Sequence, residues 1–183
     1  MNHHTDGDGV AVVLTDTASD PLTDISRLTE IGRYDLEPPE LKTVLDGLAT
    51  EAAQLLDLPV GIVSIVLDRS QLFAGSYGLD GTWLGDAGGT PSEWSFCINA
   101  VRSRGPYVVE DAHIDLLQSD NPLVLFDGVR SYAGAPLITS SGHALGACCA
   151  IGSEPRTFTG DEVKSLEQLA DRIVVVLEGY VLD

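Results

Sequence analysis

Ser92-Glu93-Trp94-Ser95-Phe96-Cys97, Tyr107-Val108-Val109-Glu110-Asp111, Asn121-Pro122-Leu123-Val124, Ser131-Tyr132-Ala133-Gly134-Ala135-Pro136-Leu137 and Gly146-Ala147-Cys148-Cys149-Ala150-Ile151-Gly152, closing on Pro155-Arg156, decide how this chain folds. Short apolar runs alternate with polar or acidic connections, the pattern of strands bounded by turns. A segment of this kind folds as a half-buried sheet with an enclosed pocket on its covered side.

Working outward from that stretch, the hairpin 140–143, Ser-Ser-Gly-His, joins strands predicted over 132–139 and 144–151, with Gly142 at positive φ. Upstream, the β-branched run 60–67 and the return 71–77 form a second hairpin about Asp68-Arg69-Ser70. Residues 78–92 hold five glycines and read as a mobile loop able to act as a lid. A short helix carries Cys97, Ala100 and Val101, and Tyr107 to Glu110 is a brief strand. Asp111 is placed to accept backbone N–H bonds from the turn after it.

Helices flank the sheet region. Leu22, Ile25, Leu28 and Ile31 recur every three residues, and Pro38-Pro39 interrupts that pattern. Leu41, Val44, Leu45, Leu48, Ala52, Leu55 and Leu56 then form one apolar stripe. The last helix opens at Thr159, with Glu162 three residues on as a capping-box partner. Within it Val163, Leu166, Ala170, Ile173, Leu177 and Tyr180 step by alternating threes and fours, a heptad seam. Such a seam serves either the domain's own sheet or a second chain.

The bulk numbers bound the function classes. At 183 residues and 44% hydrophobic content, the chain suits one domain with a full core. Residues 1–20, acidic and Gly-rich with His3-His4 and one apolar patch at Val10 to Leu14, read as a disordered leader to a domain over 21–183. No apolar run approaches the roughly 18 residues needed to span a bilayer, and no basic-then-apolar leader is present. The expectation is a cytoplasmic protein. A net charge of −18 repels phosphate and so argues against nucleic acid and anionic membrane as partners. Three cysteines without a signal peptide read as reduced thiols.

The order and spacing of the Phe-Cys, Asn-Pro-Leu-Val, Tyr-Ala-Gly-Ala-Pro-Leu and Pro-Arg signatures resemble the GAF family of small sensory domains, over residues 27 to 180. The resemblance implies an α+β fold: a central antiparallel sheet of about six strands, terminal helices on one face and a loop-covered pocket on the other. It implies a pocket lined by Trp94, Phe96, Cys97, Asp111, Asp115, Asn121 and Tyr132, and a homodimer held by the first and last helices. Trp94 and Tyr132 offer flat apolar faces with one polar tip each, suited to a small organic ligand; equally, they can fill the space themselves.

Several chemistries known in that family find no residues here. Its methionine sulfoxide reductases use loop cysteines and strand carboxylates. This chain has no Cys from Gly78 to Ser92 and carries Cys149, Ala150, Ile151 and Gly152 on the late strand. The Cys-His pair of bilin attachment is missing, since Ile98 follows Cys97 and Ala150 follows Cys149. A haem would have only His113 or His143. A cyclic nucleotide would need Arg102, Arg104 or Arg130 turned inward. Cys97, at a strand-to-helix junction, is either a reactive thiol or a small buried hydrophobe. Cys148 and Cys149 point to opposite faces of one strand. The reading is therefore a non-enzymatic sensory domain that binds a small molecule or a signalling protein such as a kinase or regulator. A ligand-free interaction module and a redox sensor built on Cys97 are the alternatives. No cofactor is specified.

Overall fold

In the computed structural model, which describes residues 19–182, helices α1 (Ile25–Ile31) and α2 (Pro39–Leu55) precede the hairpin β1 (Val60–Val66) and β2 (Ser70–Tyr77). There follow α3 (Trp83–Ala87), β3 (Gly89–Pro91), α4 (Cys97–Ser103), β4 (Tyr107–Val109), α5 (Pro122–Phe126), the hairpin β5 (Ser131–Ile138) and β6 (Ala144–Gly152), and α6 (Gly160–Glu178). All strand pairs are antiparallel, in the order β3-β2-β1-β6-β5-β4. This is the α+β architecture with six strands that the sequence predicts. The leader's His3, His4 and Val10 to Leu14 lie outside the described residues.

Local chemistry sets the ends of the elements. Thr159 accepts from the Glu162 N–H at 3.2 Å, and Glu162 accepts from the Thr159 N–H at 2.8 Å, a reciprocal capping box. Pro39 and Pro122 start α2 and α5, where a missing N–H costs nothing. Gly142 takes φ +87° in the β5–β6 turn.

Alternation along the central strands separates two cores. Val63 and Ile65 of β1, Ala133 and Ala135 of β5, and Cys148 and Ala150 of β6 face the helices. There they meet Leu41, Leu45 and Leu48 of α2 and Leu166, Ile173 and Leu177 of α6. Ile62 and Val66, Tyr132, and Ala147 and Cys149 face the other way, onto Phe96, Cys97, Ala100, Leu123 and Val129. The two adjacent cysteines thus belong to different cores. Helix α2 presses so closely on the β1–β2 hairpin that a Cβ at Gly61 would lie 1.9 Å from the Ala49 carbonyl oxygen, and one at Gly75 2.4 Å from that of Leu45.

The structure refines three of these readings. The heptad seam is used within the chain: Leu166, Ala170, Ile173 and Leu177 are buried against the domain's own sheet, and Val163 and Tyr180 are half-buried. Four of its six members are therefore closed to a second chain. The proposed helical stripe on the first helix is likewise divided, with Leu22 and Ile31 buried in the domain and Ile25 exposed. Arg27, buried between them, donates to the carbonyls of Pro21, Leu22, Val66 and Ala144 at 2.7 to 3.2 Å and ties this segment to β1 and β6. The Gly-rich stretch 78–92 is also built, not a plain loop. Thr82 caps α3 by accepting from the Gly85 N–H at 3.1 Å, Gly88 ends it at φ +65°, and β3 pairs with β2. Gly content hid these elements because two of the five glycines serve as terminators and strand contacts, at Gly88 and Gly89.

Candidate functional site

The loop-side core is incompletely filled. A cavity of about 200 Å³ lies between the sheet and the connections that cover it. Its floor is Ile62 of β1, Tyr132 of β5 and Cys149 and Ile151 of β6. Its roof comes from Phe96 and Cys97 at the start of α4, Leu123 of α5, and Val129. Leu79, Thr82, Trp83 and Leu84 close one side, with Phe73 and Gln71 of β2 beside them.

This wall is hydrocarbon with a few polar atoms. The Gln71 amide is fixed by donating to Thr90 Oγ1 at 2.9 Å and accepting from Ser95 Oγ at 2.6 Å. Tyr132, fully buried, donates its hydroxyl to Cys97 Sγ at 3.2 Å. Phe96 lies 5.2 Å from its ring centroid and Tyr107 5.8 Å, which fixes the phenol against both neighbours. Burial, with the adjacent Cys97 sulfur, pushes the Tyr132 phenol well above its ordinary range, so it remains a donor.

At the cavity's inner end two sulfurs meet. Cys97 Sγ stands 3.8 Å from Cys149 Sγ. A hydrogen bond from the Cys149 thiol, supported by the Tyr132 hydroxyl and opposed by burial, brings Cys97 down to about 7. Cys149 moves the other way, pushed up by its contact with Cys97 and by burial.

At the outer end Trp83 Nε1 donates to Asp127 Oδ1 at 2.6 Å. Both residues line the cavity, and their bond joins α3 to the turn after α5. Trp94 stands edge-on to Trp83, centroids 6.4 Å apart.

Of the seven pocket residues expected from sequence, Phe96, Cys97 and Tyr132 line the cavity. The other four hold the roof in place. Trp94 packs behind Trp83, and its carbonyl accepts from Asn121 Nδ2 at 3.0 Å. Asn121 is buried; its Oδ1 accepts from the Leu123 N–H at 3.0 Å, capping α5, and its amide also donates to Gln118. Asp115 accepts from the N–H groups of Leu117 and Gln118. Asp111 forms a two-pronged pair with Arg130 at 3.0 and 3.1 Å and accepts from the His113 N–H. Partial burial raises the Asp111 carboxyl, but those hydrogen bonds outweigh it and hold the group below its ordinary range. Loop carboxylates and amides are thus used on the backbone. Neither His113 nor His143 borders the cavity, and neither do Arg102, Arg104 or Arg130.

The sequence profile of the GAF domain family matches residues 40–177. The chain belongs to the GAF domain family. That family is one of sensory domains, so a signal-transduction role follows at that level. A cyclic di-GMP phosphodiesterase of Pseudomonas aeruginosa is 32% identical over 161 residues, covering 87% of this chain and 25% of the relative. This GAF domain therefore spans about a quarter of that protein. Among solved structures, the type II free methionine-R-sulfoxide reductase of Thermoplasma acidophilum superposes with a TM-score of 0.63 at 12% identity, covering 81% of this chain and 99% of the other. The GAF domain of an Acinetobacter phosphoenolpyruvate-protein phosphotransferase gives 0.61 at 15% identity, covering 84% and 89%.

These relatives overturn the expectation that the chain stands apart from enzymes. A relative 32% identical over 161 residues, of which this chain spans a quarter, is named for a phosphodiesterase activity, and a reductase shares the fold. The cavity does receive two sulfurs, Cys97 from α4 and Cys149 from β6, while the Gly-rich stretch supplies none. No helix among the described residues is long and apolar enough to cross a membrane.

Proposed function

We propose that this GAF domain senses a small, uncharged, predominantly apolar molecule in its cavity and transmits its occupancy to cyclic di-GMP turnover. The observation that carries the reading is the cavity itself. Its hydrocarbon wall and few fixed polar atoms match how small-molecule sites are built, but at about 200 Å³ it falls below the ~300–1,000 Å³ of drug-sized pockets. Engineered apolar cavities of ~150 Å³ stay dry and take up benzene. The ligand class is therefore a single ring or a short branched chain, held by burial and at most one or two hydrogen bonds to Gln71, Cys97 or Tyr132.

The link to cyclic di-GMP is supported by the Pseudomonas aeruginosa relative. A cyclic dinucleotide itself is too large and too anionic for this wall; it belongs to the output. Filling the cavity would stiffen the roof formed by α3, α4 and α5, and a partner or neighbouring domain that binds the stiffened roof more tightly would read the change. A signalling protein of that kind, in the cytoplasm, is the partner we propose.

The test is the cyclic di-GMP content of cells overproducing the chain, with and without the variant Ile151→Trp, which enlarges a cavity-wall residue. The reading predicts a change for the natural chain that the filled variant does not reproduce. Equal content in both, at equal protein level, contradicts it.

A further inference from the structure

We propose that Cys97 and Cys149 form a disulfide-forming thiol pair, oxidised by a small apolar hydroperoxide that reaches them through the cavity. Three observations place this chemistry here. The sulfurs are 3.8 Å apart, so they must close by less than ~2 Å to reach disulfide length. Both line the cavity while almost wholly screened from bulk water. The Tyr132 hydroxyl donates to Cys97 Sγ at 3.2 Å, an arrangement that stabilises a thiolate there and marks Cys97 as the attacking sulfur. The pocket wall selects the oxidant: it is hydrocarbon, so an alkyl hydroperoxide enters where a charged disulfide such as oxidised glutathione does not.

The steps balance as follows. Cys97 sulfur attacks the terminal oxygen of R–O–O–H; the O–O bond breaks, and the alkoxide leaves with the Cys97 proton as R–OH. Cys97 is now a sulfenic acid. Cys149 sulfur attacks the Cys97 sulfur; the S–S bond forms, the S–O bond breaks, and hydroxide leaves with the Cys149 proton as water. Two thiols and one hydroperoxide give one disulfide, one alcohol and one water. Cys148 takes no part, because its side chain lies in the other core, among α2 and α6.

The site is independent of any ligand reading of the cavity, which serves here as a path. It also explains why this pair escapes notice in the sequence: the two residues are 52 positions apart, and the neighbour of Cys149 is a thiol facing the wrong way. Oxidation would pull the start of α4 toward β6 and so alter the roof that covers the cavity.

The experiment treats the reduced full chain with tert-butyl hydroperoxide, counts free thiols, and maps peptides without reduction. Trypsin cuts after Arg102 and Arg130, which puts Cys97 and Cys149 on separate peptides. The expected result is loss of two of the three thiols and one peptide pair linked through Cys97 and Cys149, unchanged in the variant Cys148→Ser. The link must vanish in Cys97→Ser and in Cys149→Ser; the Cys148→Ser map, in which Cys149 is the one thiol of its peptide, decides should either variant fail to fold. Three thiols persisting after treatment, a link through Cys148, or Cys97 overoxidised with Cys149 still free would each overturn the proposal.

Discussion

Trp83 Nε1 donates to Asp127 Oδ1 at 2.6 Å across the outer end of the cavity, joining α3 to the turn that follows α5. Thr82 caps α3 and Asn121 caps α5, so each side of this bridge is held by its own backbone contacts. Among the described residues the bond is the one polar link between the two segments, and it sits in partial contact with water. Its opening would disturb neither cap.

Trp83→Phe keeps the ring and removes the donor. A hydrogen bond of this kind contributes about 0.5–1.5 kcal/mol net, so a bound apolar probe should exchange roughly 2- to 10-fold faster. Line-shape analysis of the probe's proton resonances measures it, with affinity little changed. Exchange as slow as in the natural chain would show that Trp83 and Asp127 do not close the cavity.

Asn121→Ala should cost stability and spare the cavity. The side chain caps α5 and satisfies the Trp94 carbonyl, and loss of both contacts is worth about 1–3 kcal/mol. Urea denaturation gives the loss, and a probe titration should return an affinity within about twofold of the natural value, since Asn121 is not in the wall. A large affinity loss with small stability loss would place it in the site after all.

Ile173→Glu should unfold the domain, not release a folded monomer. Ile173 has no exposed surface and packs on the sheet within its own chain. An unpaired carboxylate there is costly enough to exceed about 4 kcal/mol, much of the ~5–15 kcal/mol available to a domain. Circular dichroism settles the matter: a native spectrum with a reduced sedimentation coefficient would restore the dimer seam.

Modification of Cys97 by a small apolar alkylating agent should follow pH with a midpoint near the value to which its neighbours bring it, about 7. Thiolate, the reactive form, predominates above that pH and disappears below it, so reactivity falls as pH drops through the midpoint. An exposed thiol would turn over near ~8.5. Mass spectrometry of the Cys97 peptide after timed quenching gives the profile. A midpoint at or above that of free cysteine would show that Tyr132 and Cys149 do not stabilise the anion.

How much of this was legible in the sequence divides by range. β3, within the Gly-rich stretch, was missed, but the other five strands, the Gly142 hairpin and the Thr159–Glu162 cap depend on neighbours within a few residues, and they were read correctly. So was the separation of Cys148 from Cys149, which follows from strand alternation alone. The cavity wall was mostly not read. Val60, Ile62, Phe73, Leu79 and Val129 look like ordinary core, and nothing local says that the space between them is unfilled. The polar loop residues Asp111, Asp115 and Asn121 attracted attention as chemistry, yet their atoms are taken up by backbone N–H groups and Arg130. A signal existed for the seam as well: Leu166, Ala170, Ile173 and Leu177 fit a sheet contact as well as a partner helix, and only the tertiary placement of α6 decides between them.

The central claim is that the cavity admits a small apolar molecule, and a toluene titration of the methyl-labelled chain tests it most directly. The account predicts saturable shifts of the Val60, Ile62, Leu79, Leu84, Leu123 and Val129 methyls. It also predicts a stabilisation of about 1.4 kcal/mol at ten times the dissociation constant, and loss of both effects in a folded Ile151→Trp variant. Shifts that never saturate, or that fall on the exposed methyls of Leu116 and Leu117 while the wall methyls stay still, would contradict it.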